Sequence, residues 1–113
     1  MKIRVPTELP IMGKRVKIEY VYGLEEDGET LSGLCRSREN LIKICLKENT
    51  TEESVHLTLA HEAFHYVVHK SGLSHLLGEN EESLTVCTEE NFVPLFRFNK
   101  RIWRKVIEVE LGC

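Results

Sequence analysis

Residues 57–75 read LTLAHEAFHYVVHKSGLSH and hold four of the chain's five histidines. No Gly or Pro falls between Thr50 and His69, and Thr50 stands three residues before Glu53, a capping-box spacing. Ser71-Gly72 supplies a stop. The stretch therefore predicts a helix from about Thr50 to about His69. At 100° per residue, Leu57, Ala60, Ala63, Phe64, Val67 and Val68 form one apolar arc, and Val55, Leu59 and Tyr66 a second. Between them runs a narrow polar stripe of Thr58, His61, Glu62 and His65. A helix apolar on both flanks is mostly buried, where an uncompensated polar stripe is costly. The stripe calls for a purpose.

His61-Glu62-Ala63-Phe64-His65 fits HExxH on a helix. Two histidines four apart share one face, with Cβ atoms ~5–6 Å apart, so both imidazoles can reach one Zn²⁺ at ~2.0–2.1 Å. Glu62 lies one step round the helix, where a carboxylate can take a proton from metal-bound water. Satisfied core histidines are the plainer alternative. His69 continues the four-residue series but lies ~12 Å along the axis from His61, too far for one ion to span all three. It reads instead as a cation at the helix end. His75 does not fit the longer HExxHxxGxxH layout, and His56 falls on the apolar side.

Upstream, "RVKIEYVY" (15–22) alternates apolar and polar residues as a strand does. "GLEEDGE" (23–29) is a loop with an Asp27-Gly28 turn. "TLSGLCR" (30–36) and "NLIKICLK" (40–47) are further strand candidates. Short loops between them suggest an antiparallel meander. Pro6, Pro10 and Gly13 make residues 1–13 an extended arm. Downstream, a second helix is expected from about Glu81 to Val93, ended by Pro94. The spacing of Trp103, Val106, Ile107 and Glu110 suggests a C-terminal amphipathic helix within 95–113. The expected fold is α+β in a single domain, 1–113: a small antiparallel three-stranded sheet packed on the central HExxH helix and a second, glutamate-bearing helix, with a C-terminal tail helix.

The chain's 113 residues support one modest core. Its net charge of -3 argues against non-specific nucleic-acid binding. The basic run Arg97, Lys100, Arg101, Arg104 and Lys105 leaves binding of an acidic partner as a weaker alternative, against a solvated helix face. No apolar run approaches the ~18 residues of a membrane span, and the N-terminus lacks a secretory core, so a cytoplasmic location is expected. Cys35, Cys45, Cys87 and Cys113 form no CxxC. The internal three read as reduced, buried hydrophobes.

The third ligand is expected from the acidic run after the loop, which includes Glu79, Glu81, Glu82, Glu89 and Glu90. Acidic residues at a helix start are also favoured by the dipole alone, and periodicity does not separate Glu81 from Glu82. His61-Glu-x-x-His65 followed by a glutamate-bearing helix resembles the gluzincin arrangement of zinc peptidases. There the later glutamate is followed three positions on by a small residue, as Glu82 is by Thr85. With "LAHEAFH", "SGLSHLL" and "EESL", the layout of residues 14–98 resembles small phage- and prophage-encoded zincin-like proteins related to the ImmA/IrrE metallopeptidases. The resemblance implies one zinc ion held by His61, His65 and Glu82, with Glu62 as base. It implies hydrolysis of a peptide or protein substrate by Glu-assisted attack of zinc-bound water, and a bacterial host cytoplasm. Tyr66 and His75 are candidates for stabilising the oxyanion. A zinc-stabilised, non-catalytic binding module is the alternative.

Overall fold

A computed structural model describes residues 1–82, 84–85 and 103–111. The chain runs β1 (Lys2–Val5), β2 (Glu8–Ile11), β3 (Lys14–Val21), β4 (Glu25–Glu26), β5 (Glu29–Thr30), β6 (Gly33–Arg36), β7 (Leu41–Cys45), α1 (Glu52–Lys70), α2 (Ser74–Leu77) and β8 (Ile107–Glu110). A short 3₁₀ turn, Ser37–Glu39, joins β6 to β7. Residues 80–82 and 84–85 are also helical.

The expected three-stranded antiparallel meander is incorrect. The main sheet has four strands in the order β2-β3-β7-β6, flanked by a two-stranded β1-β8 ribbon and a β4-β5 hairpin. Strand β7 inserts between β3 and β6 and runs parallel to β3, with Lys17 opposite Leu41 and Val21 opposite Cys45. It pairs antiparallel with β6. The hairpin and β6 supply the crossover length that a parallel pair requires. Strand β7 buries Ile42, Ile44 and Cys45 completely, whereas β6 has no fully buried position. The more apolar strand takes the centre and β6 the edge, an ordering that periodicity along one strand does not encode.

Both chain ends also depart from expectation. The supposed arm 1–13 contains β1 and β2, and β2 turns into β3 through Met12 and Gly13 at φ 52° and 74°. Two successive positive φ values define the turn favoured in two-residue hairpins. Methionine is uncommon there, which weakened the turn signal. Asp27-Gly28 forms the same kind of turn, at φ 52° and 80°. The C-terminal amphipathic helix is absent over 103–111, where β8 pairs antiparallel with β1 and sets Lys2 opposite Glu110 and Arg4 opposite Glu108. Trp103, Val106, Ile107 and Glu110 do match helical spacing, but Ile107-Glu108-Val109-Glu110 alternates equally well as a strand. The β-branched residues and the partner strand decide the outcome. Residues 95–102 and 112–113 of that expected helix, and 86–93 of the second helix, lie outside the described residues, as do Arg97, Lys100 and Arg101. Arg104 pairs with Glu8 in an isolated antiparallel bridge, and Lys105, a bend residue at φ 52°, brings its Nζ to 3.3 Å from Glu8 Oε2. Among the described residues, no helix is long and apolar enough to cross a membrane.

Helix α1 begins one residue later than the capping-box spacing indicates. Thr51 is the N-cap, its hydroxyl accepting from the Ser54 amide at 3.1 Å. The helix stops at Ser71, and Gly72 follows at φ 79°. Its core face is Val55, Leu59, Ala63 and Tyr66, which join Val16, Ile18, Ile42 and Ile44 in one cluster. Each fully buried side chain of this size contributes about 1.5–3 kcal/mol, so packing holds the helix on the sheet. Val67, expected in an apolar arc, is exposed. His56 is buried, its ring edge-on to Trp103 at 5.7 Å.

Asn49 secures the site end of this packing. It is buried, and its amide donates to the Ser32 and Cys45 carbonyls at 2.9 and 2.7 Å. Its carbonyl oxygen accepts from the Ser54 and Thr58 hydroxyls at 2.7 and 2.6 Å. One side chain thereby joins the segment before β6, the end of β7 and the first turns of α1.

Candidate metal centre

Helix α1 lies across β6 and β7, and Gly33 makes the close approach to β6 possible. A Cβ at Gly33 would stand 2.6 Å from Thr58 Cγ2 and 3.1 Å from both Cγ and Oε2 of Glu62. Glu62 is buried, with 7 % of its surface exposed. One turn of helix thus brings the general-base candidate under the edge strand and places His61 and His65, both half-buried, at the mouth of the cleft. Their rings meet edge to face at 4.9 Å. The cleft, of about 510 Å³, is bounded by β6, the polar stripe of α1 and the acidic segment that follows α2.

That segment brings two glutamates to the histidines. The two carboxylate oxygens of Glu82 reach His61 Nε2 at 3.1 Å and His65 Nε2 at 2.9 Å. Glu62 Oε2 stands 4.0 Å from the same His61 Nε2. All four residues singled out from the sequence are therefore together, with Glu82 closing the group. Glu81, the alternative, is also engaged. Its Oε2 contacts His65 Nδ1 and lies 3.0 Å from His69 Nε2. His65 thus has a carboxylate on each ring nitrogen. His69 is not simply a cation at the helix end: it shares Glu81 with His65, although it does not reach the group around His61.

Two three-residue groups could hold a cation: His61–His65–Glu82 and His65–His69–Glu81, each with its ligand atoms within 4.8 Å of one another. Each offers two imidazole nitrogens and one carboxylate, and in each a single carboxylate spans both imidazoles.

Cys35 lines the same cleft. Burial first, and then the Glu62 and Glu81 carboxylates, push its thiol up to about 12. It stays protonated at neutral pH and offers no thiolate nucleophile. Tyr66 does not serve as the oxyanion candidate: it is fully buried, and its hydroxyl donates to Asn40 Oδ1 at 2.6 Å. His75 falls within α2, and its side chain lies outside what is described. Thr85, three residues after Glu82, is buried, and its hydroxyl donates to the Glu81 carbonyl at 2.7 Å.

Sequence reasoning missed Gly33, Asn49 and the double engagement of His65. A glycine inside a strand pattern does signal a close backbone approach, and Gly33 carried that signal. Gly33→Ala is expected to cost about 1–3 kcal/mol through overpacking and to shift Glu62. Metal affinity should change little, while any hydrolysis should fall about 10- to 100-fold. Thermal melts and metal titration beside an activity assay check this, and an unaltered turnover would show that Glu62 does not depend on this contact.

Protein-family models, curated proteins and solved structures were all compared with the chain, and none matches it.

Proposed function

We propose that the protein is a minimal zinc metallopeptidase of the gluzincin kind, as its HExxH and acidic segments suggest. One observation carries the reading: a carboxylate from a separate segment meets the Nε2 atoms of both HExxH histidines, with the intervening glutamate buried alongside. His61, His65 and Glu82 would hold the ion. Bound there, zinc would supply a Lewis acid that lowers the pKa of water and polarises a carbonyl.

The chain's own groups account for the rest. Among the described residues, strand β6 is an edge of the main sheet, so its outer backbone groups can pair with an extended peptide by strand addition. That pairing would lay the peptide along the cleft, beside His61 and Glu62. Glu62 Oε2 would accept a proton from the attacking water and return it to the departing amine. Its burial between α1 and Gly33 restricts its rotamers and keeps it directed at the cleft. Glu81, accepting from His65 Nδ1–H, would fix the tautomer that leaves Nε2 for the metal, a common outer-sphere role for a carboxylate.

The test is metal analysis of protein prepared in zinc-replete buffer, together with cleavage of an unstructured peptide panel. The expected result is one zinc per chain, none in His65→Ala, and zinc-dependent cleavage. A wild-type protein without stoichiometric zinc would overturn the metal reading. Zinc without cleavage of any peptide would overturn the enzymatic one and favour a metal-stabilised binding module.

A further inference from the structure

We propose that the cleft offers the metal ion two alternative positions one helical turn apart, and that His65 is the switch between them. This inference rests on the reading of His65 as a metal ligand. The first position is His61 Nε2, His65 Nε2 and Glu82. The second is His65 Nδ1, His69 Nε2 and Glu81.

The geometry comes from the ring itself. His65 lies between two i, i+4 neighbours, His61 and His69, and opposite two consecutive carboxylates. Its Nε2 edge faces Glu82 and its Nδ1 edge faces Glu81. A neutral imidazole has one lone-pair nitrogen and one N–H. A metal on Nε2 therefore leaves the proton on Nδ1, where Glu81 accepts it. A metal on Nδ1 reverses the arrangement, with Glu82 accepting from Nε2–H. Neutral His65 serves one position at a time, so the two exclude each other and the chain holds one ion.

The positions differ in what surrounds them. The side chains of His65 and Glu81 are each 14 % exposed, whereas Glu82 is 64 % exposed. The second position therefore combines two well-shielded ligands with His69, which is 38 % exposed. Glu62 Oε2 approaches His61 Nε2, a ligand of the first position. The second position omits His61, so an ion there is displaced by one helical turn from the ligand that Glu62 approaches. The second position is thus an inactive register of the same centre.

Metal binding alone tests this, with zinc or cobalt titrated against a chromophoric chelator. His61→Ala should still bind one ion per chain, whereas His61→Ala/His69→Ala should bind about 100-fold more weakly than His61→Ala. His69→Ala alone should leave wild-type affinity within about threefold, since it lies outside the first position. The ¹⁵N shifts of His65 should report metal on Nε2 in the wild type and on Nδ1 in His61→Ala. If His61→Ala binds no ion while the wild type binds one, or if His69 makes no difference in the His61→Ala background, the second position does not exist. A wild type that binds no ion would instead sink the metal reading on which both positions rest.

Discussion

Glu62→Gln should lower kcat for peptide hydrolysis by about 10²- to 10⁴-fold, the range that a positioned acid–base group contributes, while KM and zinc content stay near wild type. The substitution keeps the side chain's shape under Gly33 but removes its ability to take a proton. Glu62 is not among the three groups that meet around His61 and His65 Nε2; its Oε2 stands at 4.0 Å from His61. Because Gln keeps the volume of a side chain only 7 % exposed, the melting temperature should stay near that of the wild type. The combination of lost turnover, retained zinc and undiminished stability is the signature of a catalytic base. Steady-state kinetics, metal analysis and a thermal melt of one preparation measure all three. Equal turnover in the variant would remove Glu62 from the mechanism.

The largest effect on stability is expected at Asn49. Asn49→Ala deletes four hydrogen bonds at once and leaves the Ser32 and Cys45 carbonyls and the Ser54 and Thr58 hydroxyls to find other partners. At about 0.5–1.5 kcal/mol net for each bond, with some recovered by water, the loss is about 2–4 kcal/mol. For a domain of this size that lowers the melting temperature by roughly 10 °C. Asn49→Asp is expected to do no better, since its carboxylate oxygens would face two carbonyl oxygens where the amide donates. Denaturant melts of both variants decide the matter. An aspartate as stable as wild type would show that the donor half of the network contributes nothing. Zinc should partly restore Asn49→Ala, because a ligand that binds only the folded state stabilises it by mass action.

The spacing of the candidate site's residues was legible in the chain, but the way the fold brings them together was not. HExxH spacing, the uninterrupted helix and the acidic run pointed to His61, Glu62, His65 and the Glu81/Glu82 pair from local pattern alone. The choice between the two glutamates was framed as one ligand against one bystander. In the folded protein each carboxylate takes a different nitrogen of His65. That division depends on how a segment more than ten residues downstream crosses α1, and no repeat in the acidic run encodes it.

The sequence by itself determined where α1 runs, that His61 and His65 share a face, and that strands fall near 15–22 and 40–47 and over the latter half of 30–36, because side-chain periodicity and capping act over a few residues. The tertiary structure alone decided that β7 lies between β3 and β6, that the N-terminal residues and residues 107–110 pair as strands, that Gly33 admits Glu62, and that Asn49 binds three segments together. Those outcomes depend on contacts between residues far apart in the chain. Ile107–Glu110 fits helix and strand equally well in isolation, and pairing with Lys2–Val5 favours the strand.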